Sequence, residues 1–154
     1  MKHFLLIFSI LLVGCGANEE STGPAPDSNE TAAVKPKLSS PPKHTKDSLE
    51  LIQERLANKE AILIDVREQD EWDNGHLQSA IFMPLSKLEE GEDKEGFATE
   101  IAEQLSKDII IYCHCAAGGR VMPASAILHK MGYDIRPLKA GYGTLLKAGF
   151  LKAK

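Results

Sequence analysis

Two cysteines and an arginine stand within the eight residues Cys113-His114-Cys115-Ala116-Ala117-Gly118-Gly119-Arg120. A thiol is a nucleophile only as a thiolate, and a thiolate needs positive or hydrogen-bond-donating neighbours. Ala116, Ala117, Gly118 and Gly119 are small enough to let a loop fold over a sulfur with its amides turned inward, and the glycine pair supplies the backbone freedom that this takes. Arg120 adds a planar guanidinium suited to an oxyanion. The ring of small residues begins at Cys115, which makes Cys115 the expected nucleophile. Cys113 is then a strand-end thiol that behaves as a small hydrophobe. A second use of the pair stays open: the two thiols could exchange as a redox couple, or Cys113 could resolve a persulfide or sulfenic acid formed on Cys115.

The flanks show what must position that loop. Ile109, Ile110, Ile111 and Tyr112 have the composition of a fully buried strand. After Arg120, Val121, Ala124, Ile127, Leu128 and Met131 recur at spacings of three and four, one face of a helix packed back on a sheet. Pro123 falls in that helix's first turn, where its missing N–H costs little. The thiol therefore lies between a strand's C-terminal end and a helix N-terminus, where α/β sheets bind ligands and where free amides and the helix dipole favour negative charge. An ionised sulfur in an anion cradle is the natural reading.

Around this centre the chain alternates between two periodicities. Ser48 to Asn58 carries Leu49, Ile52 and Leu56 on one face and reads as a helix entered through Asp47 or Ser48 as cap. Ala61 to Val66 is a short buried strand ending in Asp65-Val66-Arg67, whose charges form either a plain strand-end ion pair or, in the preferred reading, support for the cysteine loop. Glu68 to Asn74 reads as a short helix closed by Gly75, Ala80 to Met83 as a strand ending at Pro84, and the acidic run Glu89 to Glu95 as a solvated loop. Phe97, Ile101 and Leu105 mark a further helix. Past the central segment, Gly132 is a helix C-cap, Asp134 to Leu138 a strand, and Thr144 to Ala148 a last helix opened by Gly141-Tyr142-Gly143. Strands alternating with helices, without hairpin signals, predict an α/β domain with a parallel sheet and helices on both faces.

Four motifs in one order, LIDVRE (Leu63 to Glu68), EWDNGHLQSAIFMP (Glu71 to Pro84), CAAGGR (Cys115 to Arg120) and MGYDIRPLKAGY (Met131 to Tyr142), resemble the single-domain rhodanese family of sulfurtransferases. The likeness covers about residues 46 to 151. It implies a three-layer fold around a mainly parallel sheet of roughly five strands. It also implies a catalytic cysteine that cycles through a persulfide, by motif position Cys115. The substrates so implied are a small anionic sulfur donor such as thiosulfate and a thiol or cyanide as acceptor. Arg120 and the amides of Ala116, Ala117, Gly118 and Gly119 would hold the donor, with Asp65 and Arg67 supporting. His76 matches the family's Gly-His turn, which implies a structural hydrogen bond rather than proton transfer. Many relatives carry a bulky aromatic in the last helix where this chain has Leu145 or Leu146, which changes the expected wall of the site. No metal and no organic cofactor is called for.

The loop also resembles the HCxxGxxR signature of cysteine-dependent phosphatases with one residue missing. Those enzymes place five residues between nucleophile and arginine, whereas Cys115 has four before Arg120 and Cys113 six. A smaller ring suits a sulfur atom better than a phosphate with three equatorial oxygens. A non-catalytic domain that binds sulfide or a thiol, or docks a redox partner, would not require a nucleophile in the cradle. Metal binding by Cys113, His114 and Cys115 is disfavoured because consecutive strand residues point to alternate faces, which also turns His114 away from the sulfur. His44 and His129 read as tether and helix-surface residues.

At the N-terminus, Lys2 precedes the apolar run Phe4 to Val13, too short to span a bilayer and suited to a secretory signal. Leu12-Val13-Gly14-Cys15 is similar to a bacterial lipoprotein signal, with cleavage before Cys15 and lipid on its thiol. The expected organisation is a signal peptide (1–14), lipidated Cys15 and a Pro/Ser-rich flexible tether (15–45), the domain (46–151) and a short tail (152–154). The domain would then be anchored to a bacterial membrane on its extracytoplasmic side, the periplasmic face where an outer membrane exists. Lys plus Arg number 18 against 22 for Asp plus Glu; loss of Lys2 leaves 17 against 22, a mature charge of −5. That balance argues against a nucleic-acid binder, and an anionic substrate must be drawn by local groups, the loop amides and Arg120.

Overall fold

A computed structural model describes residues 42–154. The expected signal peptide, Cys15 and the expected tether up to residue 41 lie outside the described residues. Strands Ala61–Asp65 (β1), Ala80–Phe82 (β2), Ile110–His114 (β3) and Ile135–Pro137 (β4) pair in the order β2-β1-β3-β4, every pairing parallel. The helices before, between and after them are Leu49–Ala57 (α1), Gln69–Asp73 (α2), Leu85–Gly91 (α3), Phe97–Gln104 (α4), Val121–Lys130 (α5) and Tyr142–Lys147 (α6).

A parallel sheet must be covered on both faces, and the strand residues divide accordingly. Ile64, Ile111 and Cys113 enter one apolar layer with Leu85 and Leu88 of α3, Phe97 and Ile101 of α4, and Val121, Ala124, Ile127 and Leu128 of α5. Ala61, Leu63 and Tyr112 enter the other, with Ile52 of α1 and Leu145 of α6. Leu63 is fully buried, so its truncation to Ala would cost about 2–5 kcal/mol. The same alternation carries β3 out of the sheet with Cys113 on one face, His114 on the other and Cys115 back on the first.

Three expectations change. Among the described residues the sheet has four strands rather than about five, with an isolated antiparallel bridge from Leu77 to Lys152. Residues 152–154 are consequently no loose tail, since Ala153 N–H donates to His76 O at 2.9 Å and Gln78 N–H to Leu151 O at 2.9 Å. The acidic run begins inside α3, because Leu85 and Leu88 bury one face of a turn that starts at Pro84, leaving Glu89 and Glu90 on the solvent side. Ser48 rather than Asp47 caps α1, its Oγ accepting from Leu51 N–H at 3.2 Å.

Candidate functional site

Cys115 is the first residue after β3 and only 1% exposed. Gly118 N–H donates to its Sγ at 3.1 Å. That contact requires the chain to double back within three residues, and Gly118 does so at φ +82°, a left-handed conformation natural to glycine. A Cβ on Gly118 would also stand 2.5 Å from the Lys139 carbonyl oxygen, so both backbone and space demand glycine. Gly141 presses the loop from the same side: a Cβ there would overlap the Ala116 carbonyl. Tyr142 N–H donates to Cys115 O at 2.9 Å, joining the start of α6 to the cysteine's own backbone.

Gly118 is the one loop amide that reaches the sulfur among the described residues; the expected inward ring is narrower than its sequence implied. The amides of Ala116, Ala117, Gly119 and Arg120 donate to no acceptor among the described residues. Four donors in one short loop at the head of α5 remain available to an anion.

Arg120 is not free above the sulfur. Its Nη1 and Nη2 donate to Glu71 Oε2 and Oε1 at 2.5 and 2.7 Å, a fork-to-fork pair between the head of α5 and α2. The hydrogen bonds from Arg120 hold the Glu71 carboxyl below the usual glutamate value, with burial opposing. Glu71 also accepts from Glu68 N–H at 3.3 Å.

Asp65 and Arg67 lie on the opposite face of the strand ends. Arg67 Nη2 and Nε donate to Asp65 Oδ2 at 2.6 and 2.9 Å, and its Nη2 donates to Gly75 O at 2.9 Å. The guanidinium sits 4.0 Å over the Tyr142 ring. Their link to the cysteine loop runs through Tyr142, whose N–H donates to the Cys115 carbonyl. His114 completes this group, fully buried, with Nε2 3.6 Å from Asp65 Oδ2. Burial pushes His114 down to about 4, only partly offset by the Asp65 carboxylate, so it is neutral at pH 7. As the strand alternation requires, it faces away from Cys115.

Burial pushes the Cys113 thiol well up, and the neighbouring Cys115 adds to this. Cys113 is therefore a neutral core thiol at pH 7, poorly suited to attack a disulfide or persulfide. His76 stacks on Trp72 at 3.7 Å and bonds Trp72 O through Nδ1 at 3.1 Å, the structural role expected of it. Leu145 and Leu146 pack in the layer opposite the sulfur. His44, assigned to the tether from sequence, instead lies with its Nε2 2.9 Å from Gly118 O, a bond only an Nε2–H can make.

Glu71 and His44 are the partners that sequence reasoning missed. Glu71 stood inside a quoted motif, but its partner is 49 positions away and no local pattern links them. His44 stood among prolines and lysines with no periodicity to place it.

A parallel α/β sheet whose central strand delivers a cysteine into a glycine-turned loop at a helix head defines the class. The Rhodanese-like domain family model matches residues 48–147, and the chain belongs to that family. A Schizosaccharomyces pombe protein provisionally named a mitochondrial thiosulfate sulfurtransferase is 36% identical over 84 residues, 49% of this chain and 56% of that one. The chain thus spans little more than half the length of that relative. The Bacillus subtilis protein YqhL, described as uncharacterized, is 32% identical over 101 residues, 65% of this chain and 71% of its own. The fold is shared with the human single-domain sulfurtransferase TSTD1 at TM-score 0.55 and 24% identity, covering 71% of this chain and 97% of that one.

Proposed function

We propose that the protein is a sulfurtransferase in which Cys115 carries sulfane sulfur as a persulfide. The Cys115 thiolate attacks the outer sulfur of a donor such as thiosulfate; the S–S bond of the donor breaks and sulfite departs with the bonding pair. The terminal sulfur of the Cys115 persulfide then passes to cyanide, giving thiocyanate, or to a thiol, and the Cys115 thiolate is restored. Negative charge stays on sulfur and oxygen within the loop through both steps, where fixed amides stabilise it without reorganising.

The observation that carries this reading is the Gly118 N–H on Cys115 Sγ at 3.1 Å, at the end of a buried strand and the head of α5. The name of the fission-yeast relative agrees with it. The redox-pair alternative is disfavoured by the burial of Cys113. Mass spectrometry of the protein after thiosulfate treatment tests the proposal. A gain of one sulfur atom on Cys115, retained in Cys113→Ser and lost in Cys115→Ser, is the expected result; no gain on the wild type overturns it.

We further propose that the domain is held outside the cytoplasmic membrane by lipid on Cys15. Cells expressing the full chain should incorporate labelled palmitate, and Cys15→Ala should not; label that survives the substitution sinks the anchor.

A further inference from the structure

Because Gly118 and Gly119 are the most permissive pair of residues the loop has, something outside the loop must hold the Gly118 amide on the sulfur. The Lys139 carbonyl confines Gly118 on one side. His44 approaches from the chain segment before α1, its Nε2–H on the Gly118 carbonyl oxygen at 2.9 Å. That segment is itself tied down. Thr45 N–H donates to Pro137 O at 2.9 Å, and Asp47 Oδ2 accepts from Tyr112 Oη at 2.6 Å, Arg55 Nη1 at 2.7 Å and Arg136 Nη1 at 3.0 Å. Residues 44–47 thus form a strap fixed to β3, β4 and α1, with His44 as its tip on the cysteine loop.

We propose that His44 is a positioning residue: by fixing the Gly118 carbonyl it keeps the Gly118 N–H aimed at Cys115 Sγ and so sets the reactivity of that sulfur. It touches no reacting atom. The proposal deepens the sulfurtransferase reading and rests on the same cysteine. His44 is solvent-exposed and adds little to the core, so its removal should act on the loop rather than on folding. The bond calls only for an N–H donor at the Nε2 position, which a glutamine side chain supplies and an alanine does not.

The test is the rate at which iodoacetamide alkylates Cys115 at fixed pH in the full chain, mapped by peptide mass, with a thermal melt of each variant. His44→Ala should slow alkylation about fivefold, the worth of one ordinary hydrogen bond. His44→Gln should restore most of the rate, and all three melts should coincide. Alkylation of His44→Ala at the wild-type rate overturns the proposal, as does a His44→Gln variant no faster than His44→Ala. Sulfur loading from thiosulfate, measured on the same samples, reports separately on the proposed function. A wild type that never gains sulfur removes that function, while the alkylation rates still decide the role of His44.

Discussion

His114 and Cys115 are adjacent in the chain and stand in opposite surroundings. On the His114 side, Asp65, Arg67 and the Tyr142 ring close around one another, with opposite charges matched at 2.6 Å and little contact with water. On the Cys115 side the loop is thin, one amide meets the sulfur, and the nearest ion pair, Arg120 with Glu71, is about one-third exposed. Inside the knot, charge is spent on holding the strand ends together. At the loop, donors are left over. A strand alternation of one residue separates a closed ion-paired cluster from a loop with amide donors to spare.

Breaking the knot should have the larger effect on stability. Arg67→Ala leaves the Asp65 carboxylate buried without its partner and should cost about 3–5 kcal/mol, read from the urea midpoint. His114 should make the knot acid-sensitive. Folded, it stays neutral down to about pH 4, whereas the unfolded chain takes up its proton near the ordinary histidine value of 6.5. The unfolded state therefore binds more protons between those values, and stability falls as the pH drops through that window, by about 3 kcal/mol in full. The urea midpoint of the wild type should decline from pH 7 to pH 4 more steeply than that of His114→Gln; parallel curves would remove His114 as the cause. The smallest effect belongs to the loop side. Glu71→Gln removes the charge from a partly exposed pair, should cost under about 1 kcal/mol, and, for the proposed sulfur transfer, should lower the KM for thiosulfate roughly twofold by loosening Arg120. A stability loss as large as that of Arg67→Ala would erase the distinction between the two sides.

The division was partly legible in the sequence. The run Ile109 to Tyr112, the small-residue loop and the three-and-four spacing after Arg120 define a strand, a turn and a helix by local periodicity alone, and they place Cys115 correctly. Asp65 and Arg67 could be paired because they stand two positions apart, with only Val66 between them. The Arg120–Glu71 fork could not be, since it depends on α2 meeting the head of α5. The helix α3 was hidden because Glu89 and Glu90 read as a solvated run, while its burial rests on only Leu85, Leu88 and Gly91. His114 was placed on the right face by strand alternation, but its depth depends on distant residues, with the Tyr142 ring stacked 6.5 Å from its own and Asp65 Oδ2 3.6 Å from its Nε2, which no local pattern records.

Asp47, with three donors on a single carboxylate oxygen, lies one residue before the family match begins at 48. A fragment trimmed to the border drawn by similarity would discard that hub and His44 with it. Tyr112 and Arg136, both from the sheet itself, would lose a shared acceptor inside the excised piece. Such a fragment should keep its strands and still carry a slacker thiol, so the working unit that the His44 proposal predicts is longer than the region by which the chain is recognised.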